Sequence, residues 1–561
     1  MPGGGEIGIK AFGSQNKFFN TGNPQMSFFN KVYQYSTHFS KENIEIALDG
    51  PNLMLMDAPI RLSTKIPRHA DLLTDLVFVF DLPDIYSKVW AYSSSRPNPN
   101  ISQRTPSFRW IQMIGAFIID TVSIIVGGTQ IQSFPGEWIA VRATADMTSE
   151  KYAKWCSLVG HTPELNNPEW GVHGKSESYP FKRGDYPHAI RDPSDNVVPT
   201  PISPSVQRQQ IRVPLPFWFT ESWGAALPLV ALQRHDVEVQ IQMRPLRDVY
   251  RLMDDYFQSE PARPGRRLQF NSAVPTQRDP TSIPPPGSTT NFPYTNLTLQ
   301  TNYQTYTDIS GTLRNFYTDP TATSIPRQDG FIMNAHLEGT YVYVTREEQV
   351  SLVSKELSHL VHQVQLFSFP SITGQQRLDL DVHGLLHRII FFARRSDAQS
   401  RNDYLNLSNW KYANQAPYWP LTSPAAYGPN SGKLISYAQR DILKEARLLL
   451  AGNEIQAARP ASHFEVFTPF MNTTGGTGLN PGTKPDTVMG PLYQMSFALN
   501  ASDHTVPSGS LNASMIKEIQ LEVTPWNLDP YSTFSYDFSV YCESENLVRF
   551  TSGMAGLAFA I

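Results

Sequence analysis

Asp236-Val-Glu-Val-Gln-Ile-Gln-Met-Arg244 is the stretch whose reading decides the fold class. Val237, Val239, Ile241 and Met243 fall on one side of an extended chain, and every residue between them is polar. A period of two is the signature of a strand with one face buried and the other wet or covered by a partner. The same reading extends outward. Ile44-Glu-Ile-Ala-Leu48 and Leu76-Val-Phe-Val-Phe80 are β runs upstream. Downstream, Leu378, Leu380 and Val382 alternate with Asp379, Asp381 and His383, and Ile389-Ile-Phe-Phe392 is continuously apolar. Ile519, Leu521 and Val523 alternate with polar neighbours, as do Phe534, Tyr536, Phe538 and Val540.

The strand signals form two blocks. Residues 1–25, rich in Gly and Asn, read as an extended N-terminal arm. Residues 26–245 form the first strand-rich block and 331–561 the second. Between them, 246–330 is rich in Pro, Thr, Asn, Ser and Gln, includes Pro284-Pro-Pro-Gly287 and reads as a linker or surface insertion. Two helices are expected in the second block. Val353, Leu357, Leu360, Val361 and Val364 follow helical spacing over 350–364, and Asp441–Leu450 ends at Gly452, a C-cap residue. The apolar run Ile111–Gly128 is interrupted by Gln112, Asp120, Thr121 and Ser123, so two adjoining buried strands explain it better than a membrane span.

Composition agrees with short strands and long ordered loops. Of 561 residues, 17% are charged and 12% aromatic, and there are 45 prolines, well above the average share of about 5%. The length exceeds what a single core usually serves, so two large domains are expected. The net charge of −4 gives no basic field of the kind that binds nucleic acid. Cys156 and Cys542 are the only cysteines and have no metal-type spacing. Met1-Pro-Gly-Gly-Gly-Glu lacks the basic and apolar regions of a secretory leader.

Catalytic, metal and cofactor sites are all expected to be absent. Asp379, Asp381 and His383 share a strand face, but this alternation is that of any solvated strand. His383 and His387 cannot form a helical zinc pair, because Gly384 and the apolar run after it oppose a helix. His359 and His362 read as surface residues of the expected helix. His235-Asp236 with Ser222 upstream lacks a nucleophile elbow. Gly475-Gly-Thr-Gly-Leu-Asn-Pro-Gly-Thr-Lys484 lacks phosphate-loop spacing and reads as a surface loop. Asn100, Asn296, Asn406, Asn472, Asn500 and Asn512 each head an Asn-x-Ser/Thr triplet, which chance explains in a chain of this composition and which leaves them only weak candidates for glycosylation.

Six motifs in order carry a resemblance. Thr21-Gly-Asn-Pro-Gln with Phe28-Phe29 and Val32-Tyr33 comes first, then Ile66-Pro-Arg-His-Ala-Asp-Leu-Leu73. Ile125-Val-Gly-Gly-Thr-Gln-Ile131 with Glu137-Trp138 follows, and then Leu227-Pro-Leu-Val-Ala-Leu-Gln233 with His235. Ser496-Phe-Ala-Leu499 with Pro507-Ser-Gly-Ser-Leu-Asn-Ala-Ser514 is the most specific, and Ser552-Gly-Met-Ala-Gly-Leu-Ala558 closes the chain. Together they resemble the major capsid proteins of nucleocytoplasmic large DNA viruses. Asn30 and Gln34 stand where that family's opening carries basic residues, and Met515 and Lys517 where Arg and Asp are frequent.

The resemblance implies an all-β chain of two consecutive eight-stranded jelly rolls with a few short helices and long loops. It implies a homotrimeric, pseudo-hexagonal capsomer that tiles an icosahedral shell, without catalysis or cofactors. Implied partners are other copies of the chain, minor capsid and penton proteins, and an internal membrane on the inner side, with no specific nucleic-acid binding. The implied location is the outer capsid layer of a virion assembled in the host cell. A glycan-binding or glycan-processing jelly roll is the rival reading, and would need paired carboxylates at one site. A receptor-binding spike is a third.

Overall fold

The computed structural model describes residues 36–55, 57–85, 106–166, 206–254, 268–270, 330–399, 402–409, 441–473, 491–528 and 534–559, with scattered positions before residue 15. The expected arm, most of the 246–330 segment, the Gly475–Lys484 loop, Asn100 and Asn296 lie outside the described residues.

Eight strands build the first unit: β1 (Phe39–Ala47), β2 (Ile60–Lys65), β3 (Leu72–Leu82), β4 (Ile119–Val126), β5 (Thr129–Pro135), β6 (Gln209–Pro214), β7 (Val237–Met243) and β8 (His336–Val344). They form two antiparallel sheets, β1-β8-β3-β6 and β2-β7-β4-β5. The second unit repeats the plan with β9 (Leu357–Ile372), β10 (Gln376–Leu380), β11 (Leu385–Arg395), β12 (Leu443–Leu450), β13 (Asn453–Pro460), β14 (Tyr493–Ser496), β15 (Ile519–Pro525) and β16 (Tyr536–Thr551). Its sheets are β9-β16-β11-β14 and β10-β15-β12-β13, and β17 (Met554–Leu557) folds back onto β16. Two four-stranded antiparallel sheets facing each other are the jelly-roll plan, here present twice.

Alternation explains the strands. In β7 the four apolar residues are buried and the three polar ones half-exposed. β11 is buried on both faces, and its residues serve two cores. Ile389, Phe391 and Ala393 pack inside the second barrel, whereas Ile390 and Phe392 join the cluster shared with the first. That run had to be continuously apolar because neither face meets water.

Four expectations change. The first barrel does not close at residue 245, because β8 inserts between β1 and β3, pairing Phe39 with Val344 and His336 with Val79. The 246–330 segment is therefore an insertion between the seventh and eighth strands of the first barrel, and the boundary lies near 345. The helix expected over 350–364 is confined to Arg346–Ser354. From Leu357 onward the chain is β9, because pairing along β16 from Leu357–Phe550 to Ile372–Tyr536 overrides local helical spacing. Asp441–Leu450 is not helical either. It is β12, whose leucines look aperiodic because the register shifts between Ala446, Leu448 and Leu449. Gly452 is not a helix cap. Ala451 (φ 48°) and Gly452 (φ 80°) form the two-residue turn joining β12 to β13, where both central residues need positive φ. Within Ile111–Gly128, Ile114–Phe117 is a buried helical turn rather than a first strand, and β4 follows it. No described helix is long and apolar enough to cross a membrane.

One helix positions the site. α1 (Gly136–Asp146) follows β5 directly and is buried almost throughout. α2 (Ser149–Leu158) packs beside it, and α3 is the Arg346–Ser354 helix. α1 can enter this space only because Gly136 has no side chain: an added Cβ would run into the carbonyl oxygens of Ile119 and Ala116. Gly136→Ala is therefore expected to destabilise the chain by at least ~1–3 kcal/mol, the usual cost of overpacking a fixed backbone contact, read as a lower midpoint in urea unfolding.

Candidate functional site at the junction of the two barrels

The chemistry-bearing side chains that the fold concentrates lie where the barrels meet. α1 presents Glu137, Arg142 and Asp146 toward the second barrel. The β16 face opposite carries Tyr541, Glu543 and Glu545, two residues apart as a strand requires. The neighbouring β11 carries Arg388 and Arg394. A β-bulge between Leu386 and Arg388 adds one residue against β16. It lets Leu386 and Ile389 both face the second core while Arg388 turns to the junction.

Arg388 is fully buried and is the centre of this arrangement. Nη1 and Nη2 donate to the two carboxylate oxygens of Asp146 at 2.6 and 2.7 Å, and Nε donates to Glu543 Oε2 at 2.5 Å. Such a bidentate pair with a second carboxylate is the strong form of a charged hydrogen bond. Burial by itself would raise the Asp146 pKa, but Arg388 outweighs it and holds this carboxyl well below its ordinary range. Burial likewise opposes ionisation of Glu543, yet Arg388 brings it down to about 2. Arg142 on α1 pairs with Glu221 and lies 3.7 Å from Asp146. Further along, Arg394 binds Glu137 and donates to the Tyr404 carbonyl at 2.7 Å, and Tyr541 donates its hydroxyl to Glu137 at 3.1 Å. Trp138 packs on Tyr541 with ring centres 5.2 Å apart.

Three histidines complete the junction. His362 on β9 sits directly across from Glu545 in the strand register. His387 is the bulged residue of β11, and His504 comes from the loop after β14. His362 and His504 rings are 4.7 Å apart, and His362 and His387 rings 5.2 Å. Burial, and then the neighbouring His504, push the His362 pKa well below 6.5. For His387 burial works the same way, but Glu545 at 3.0 Å prevails and raises it. The first barrel holds this region from its side too. Gln132 on β5 donates to the His362 carbonyl at 2.9 Å and accepts from the Trp218 amide, and Gln363 donates to the Ile131 carbonyl at 3.0 Å.

The residues singled out from sequence fall elsewhere, with two exceptions. Asp379, Asp381 and His383 are exposed, and Asp379 accepts from Gln520 at 2.8 Å. His235 contacts the Ala555 backbone, Asp236 pairs with Lys65 and Arg68, and Ser222 caps Gly224, so these three are not brought together. Asn406, Asn472 and Asn500 are half-buried and Asn512 is exposed. Cys156 and Cys542 are free and buried. The exceptions are His387, the bulged residue of β11, and His362. His362 is not a surface residue of a helix but is buried in β9, and His359 is half-buried against Phe550. Arg388, Glu543, Glu545 and His504 carry the junction without having been singled out. For Arg388 the signal is charge inside a strand that is otherwise apolar on both faces; Glu543, Glu545 and His504 carry none in the sequence alone.

Several of the six motifs also meet in space. Arg68 of the second donates to the His235 carbonyl at 3.0 Å, and His235 of the fourth touches Ala555 of the last. Ser514 of the fifth accepts from the Gly384 amide at 2.8 Å. Comparison with known families matches residues 27–267 to the major capsid protein N-terminus and residues 348–556 to the large eukaryotic DNA virus major capsid protein. The chain belongs to the major capsid proteins of large eukaryotic DNA viruses. It is similar to probable capsid protein 4 of Acanthamoeba polyphaga mimivirus, with 24% identity over 99% of both chains. It is also similar to the major capsid protein of Phaeocystis pouchetii virus, with 23% identity over 99% of both. Among solved structures, the quasi-atomic model of the PBCV-1 virus capsid superposes with a TM-score of 0.57 at 17% identity, covering 95% of this chain and 100% of that one. The double jelly roll is the shared fold. The chain is a structural component of the virion capsid and not an enzyme, and the junction fastens its two barrels.

A carboxylate whose pKa falls on folding stabilises the fold above its ordinary pKa and loses that contribution as pH drops through the folded value. Stability is therefore expected to fall between about pH 4.5 and about pH 2 as Glu543 takes up its proton, with Asp146 extending the loss further into acid. Arg388→Met leaves both carboxylates buried without their counter-charge. It should cost about 3–5 kcal/mol in urea unfolding at pH 7 and flatten the acid limb of the stability profile.

Proposed function

We propose that the chain is the repeating shell subunit, three copies of which form a pseudo-hexagonal capsomer that tiles an icosahedral capsid. The observation that carries this reading is the duplication itself. One chain holds two eight-stranded barrels of the same plan, joined through a buried, charge-paired junction. Three such chains around a threefold axis place six similar barrels in a ring. A cyclic trimer needs two different surfaces per chain that fit one another. Each barrel exposes large apolar side chains of the kind found at interfaces. On the second barrel, Phe470 is 80% exposed, with Phe467, Met471 and Leu499 also out in solvent. On the first, Trp223 is 83% exposed.

In this reading the insertion between β7 and β8 and the loops at one barrel end face outward. The N-terminal arm lies inward, toward minor capsid and penton proteins and an internal membrane, and the subunit occupies the outer capsid layer. The low overall charge, at −4, supports contact with protein neighbours rather than nucleic acid. Contacts between capsomers are individually weak and become effective by repetition.

Light scattering of the purified chain tests the proposal. A stable particle of three 63.1 kDa chains, seen as hexagonal outlines in electron micrographs, is the expected result. A monodisperse monomer at micromolar concentration overturns it. Phe470→Asp combined with Trp223→Asp is expected to shift the trimer to monomer while leaving the far-UV circular dichroism of the barrels unchanged.

A further inference from the structure

The histidines and glutamates of the junction are placed as metal ligands are. His362, His387 and Glu545 form one buried triad, and His362, His504 and Glu543 a second. Within each triad, one donor atom per residue lies within 4.8 Å of the others. These side chains come from strands β9, β11 and β16 and the loop after β14. All five are more than nine-tenths buried.

Buried polar atoms are normally satisfied, and here four are not. Among the described residues, His362 Nε2, His387 Nδ1, His504 Nδ1 and Glu545 Oε1 have no partner at hydrogen-bond geometry. Yet His387 Nδ1 lies 3.0 Å from Glu545 Oε1, His362 Nε2 3.9 Å from the same oxygen, and His504 Nδ1 3.4 Å from Glu543 Oε1. The atoms converge without the angles that hydrogen bonds need. Convergence of lone pairs on a shared point is what a cation requires.

The far side of each ring supports this. His387 Nε2 faces the Ala501 carbonyl at 3.4 Å, and His504 Nε2 faces Asp146 Oδ2 at 3.2 Å. A ligating histidine typically gives its second N–H to a carbonyl or carboxylate, which fixes the tautomer and leaves the other nitrogen free to bind. Both rings are thus held with Nδ1 inward.

Charge points the same way. Asp146, Glu221, Glu543 and Glu545 meet two guanidiniums in the junction, Arg142 and Arg388. Carboxylates thus outnumber guanidiniums, although Glu221 is only partly buried, and buried negative charge is costly unless something positive joins it. A divalent cation supplies that charge. Imidazole-rich sets with one carboxylate suit zinc, whereas calcium and magnesium favour all-oxygen shells.

We propose that the junction binds one zinc ion per chain through His362 Nε2, His387 Nδ1 and Glu545 Oε1, with a fourth position left to water. This triad is favoured over the second because Glu543 is already engaged by Arg388, whereas Glu545 Oε1 has no hydrogen-bond donor. The bulge at His387 acquires a purpose here: it turns an imidazole into the junction without disturbing the core face of β11. The ion would join three adjacent strands of the second barrel, β9, β16 and β11. Its role is structural, so binding free energy adds to folding free energy.

The test uses the full chain expressed in zinc-supplemented medium and purified without chelator. Elemental analysis is expected to give about one equivalent of zinc per chain, and prolonged chelation should lower the unfolding midpoint. Loading with Co²⁺ instead should give the visible absorption of a four-coordinate site. The paired variant His362→Gln/His387→Gln should lose the metal. Replacing the exposed Asp379, Asp381 and His383 with Ala should leave it in place. Zinc below about a tenth of an equivalent in the folded wild-type chain overturns the proposal, because a structural ion would be retained by a chain made in zinc-supplemented medium and never exposed to chelator. So does zinc that persists in the junction variant but is lost from the surface one. The wild-type and surface-variant measurements stand even where the junction variant fails to fold.

Discussion

Two barrels joined in one chain must each give up part of their solvated surface, and here that surface is charged. The guanidinium of Arg388, clamped between Asp146 of one barrel and Glu543 of the other, is the contact on which the arrangement depends. Removing charges from water costs several kcal/mol per ion unless geometry repays it. The bidentate fork to Asp146 and the third bond to Glu543 provide that geometry. They also fix one relative placement of the barrels, because a planar fork tolerates little displacement. Apolar packing alone, such as Trp138 on Tyr541, would hold the barrels together without specifying their register.

The junction is made possible by two local irregularities. Gly136 lets α1 leave β5 pressed against the backbone of the preceding turn. The bulge at His387 puts two successive polar residues in the middle of an otherwise apolar strand. Neither stabilises anything by itself. Each aims side chains, and a regular helix or strand would have aimed them into the wrong core. The junction is thus where local rules are broken in favour of a tertiary arrangement.

Much of the fold was legible in the sequence, for reasons specific to each element. Val237 to Met243 reads as a strand because one face is wet, so burial and polarity alternate. The order of six short motifs pointed to the family and therefore to the duplicated barrel. What was not legible lies where both faces are buried or where pairing is irregular. Leu443–Leu450 has no period because its register shifts, and its leucines were open to a helical reading. His362 followed helical spacing with its neighbours, and nothing local revealed its pairing with Glu545, some 180 residues away. The junction escaped notice for the same reason. Its members are scattered over five separate stretches of sequence, and each makes sense only when α1 and three strands of the other barrel are placed together.

The late arrival of β8 has a consequence for how the chain is made. Phe39 pairs with Val344, so β1 stays without its neighbour until some three hundred further residues have left the ribosome. By then β2 to β7 are available to pair, and the first barrel waits with an open slot between β1 and β3. The chain length between β7 and β8 hardly matters to the closing step, because the entropy of closing a loop grows only with the logarithm of its length. That segment can therefore lengthen, shorten or change its sequence at little cost to the barrel that carries it. Folding of the second barrel begins at Leu357, a few residues after the slot is filled, so the order of synthesis completes one barrel before the next is laid against it.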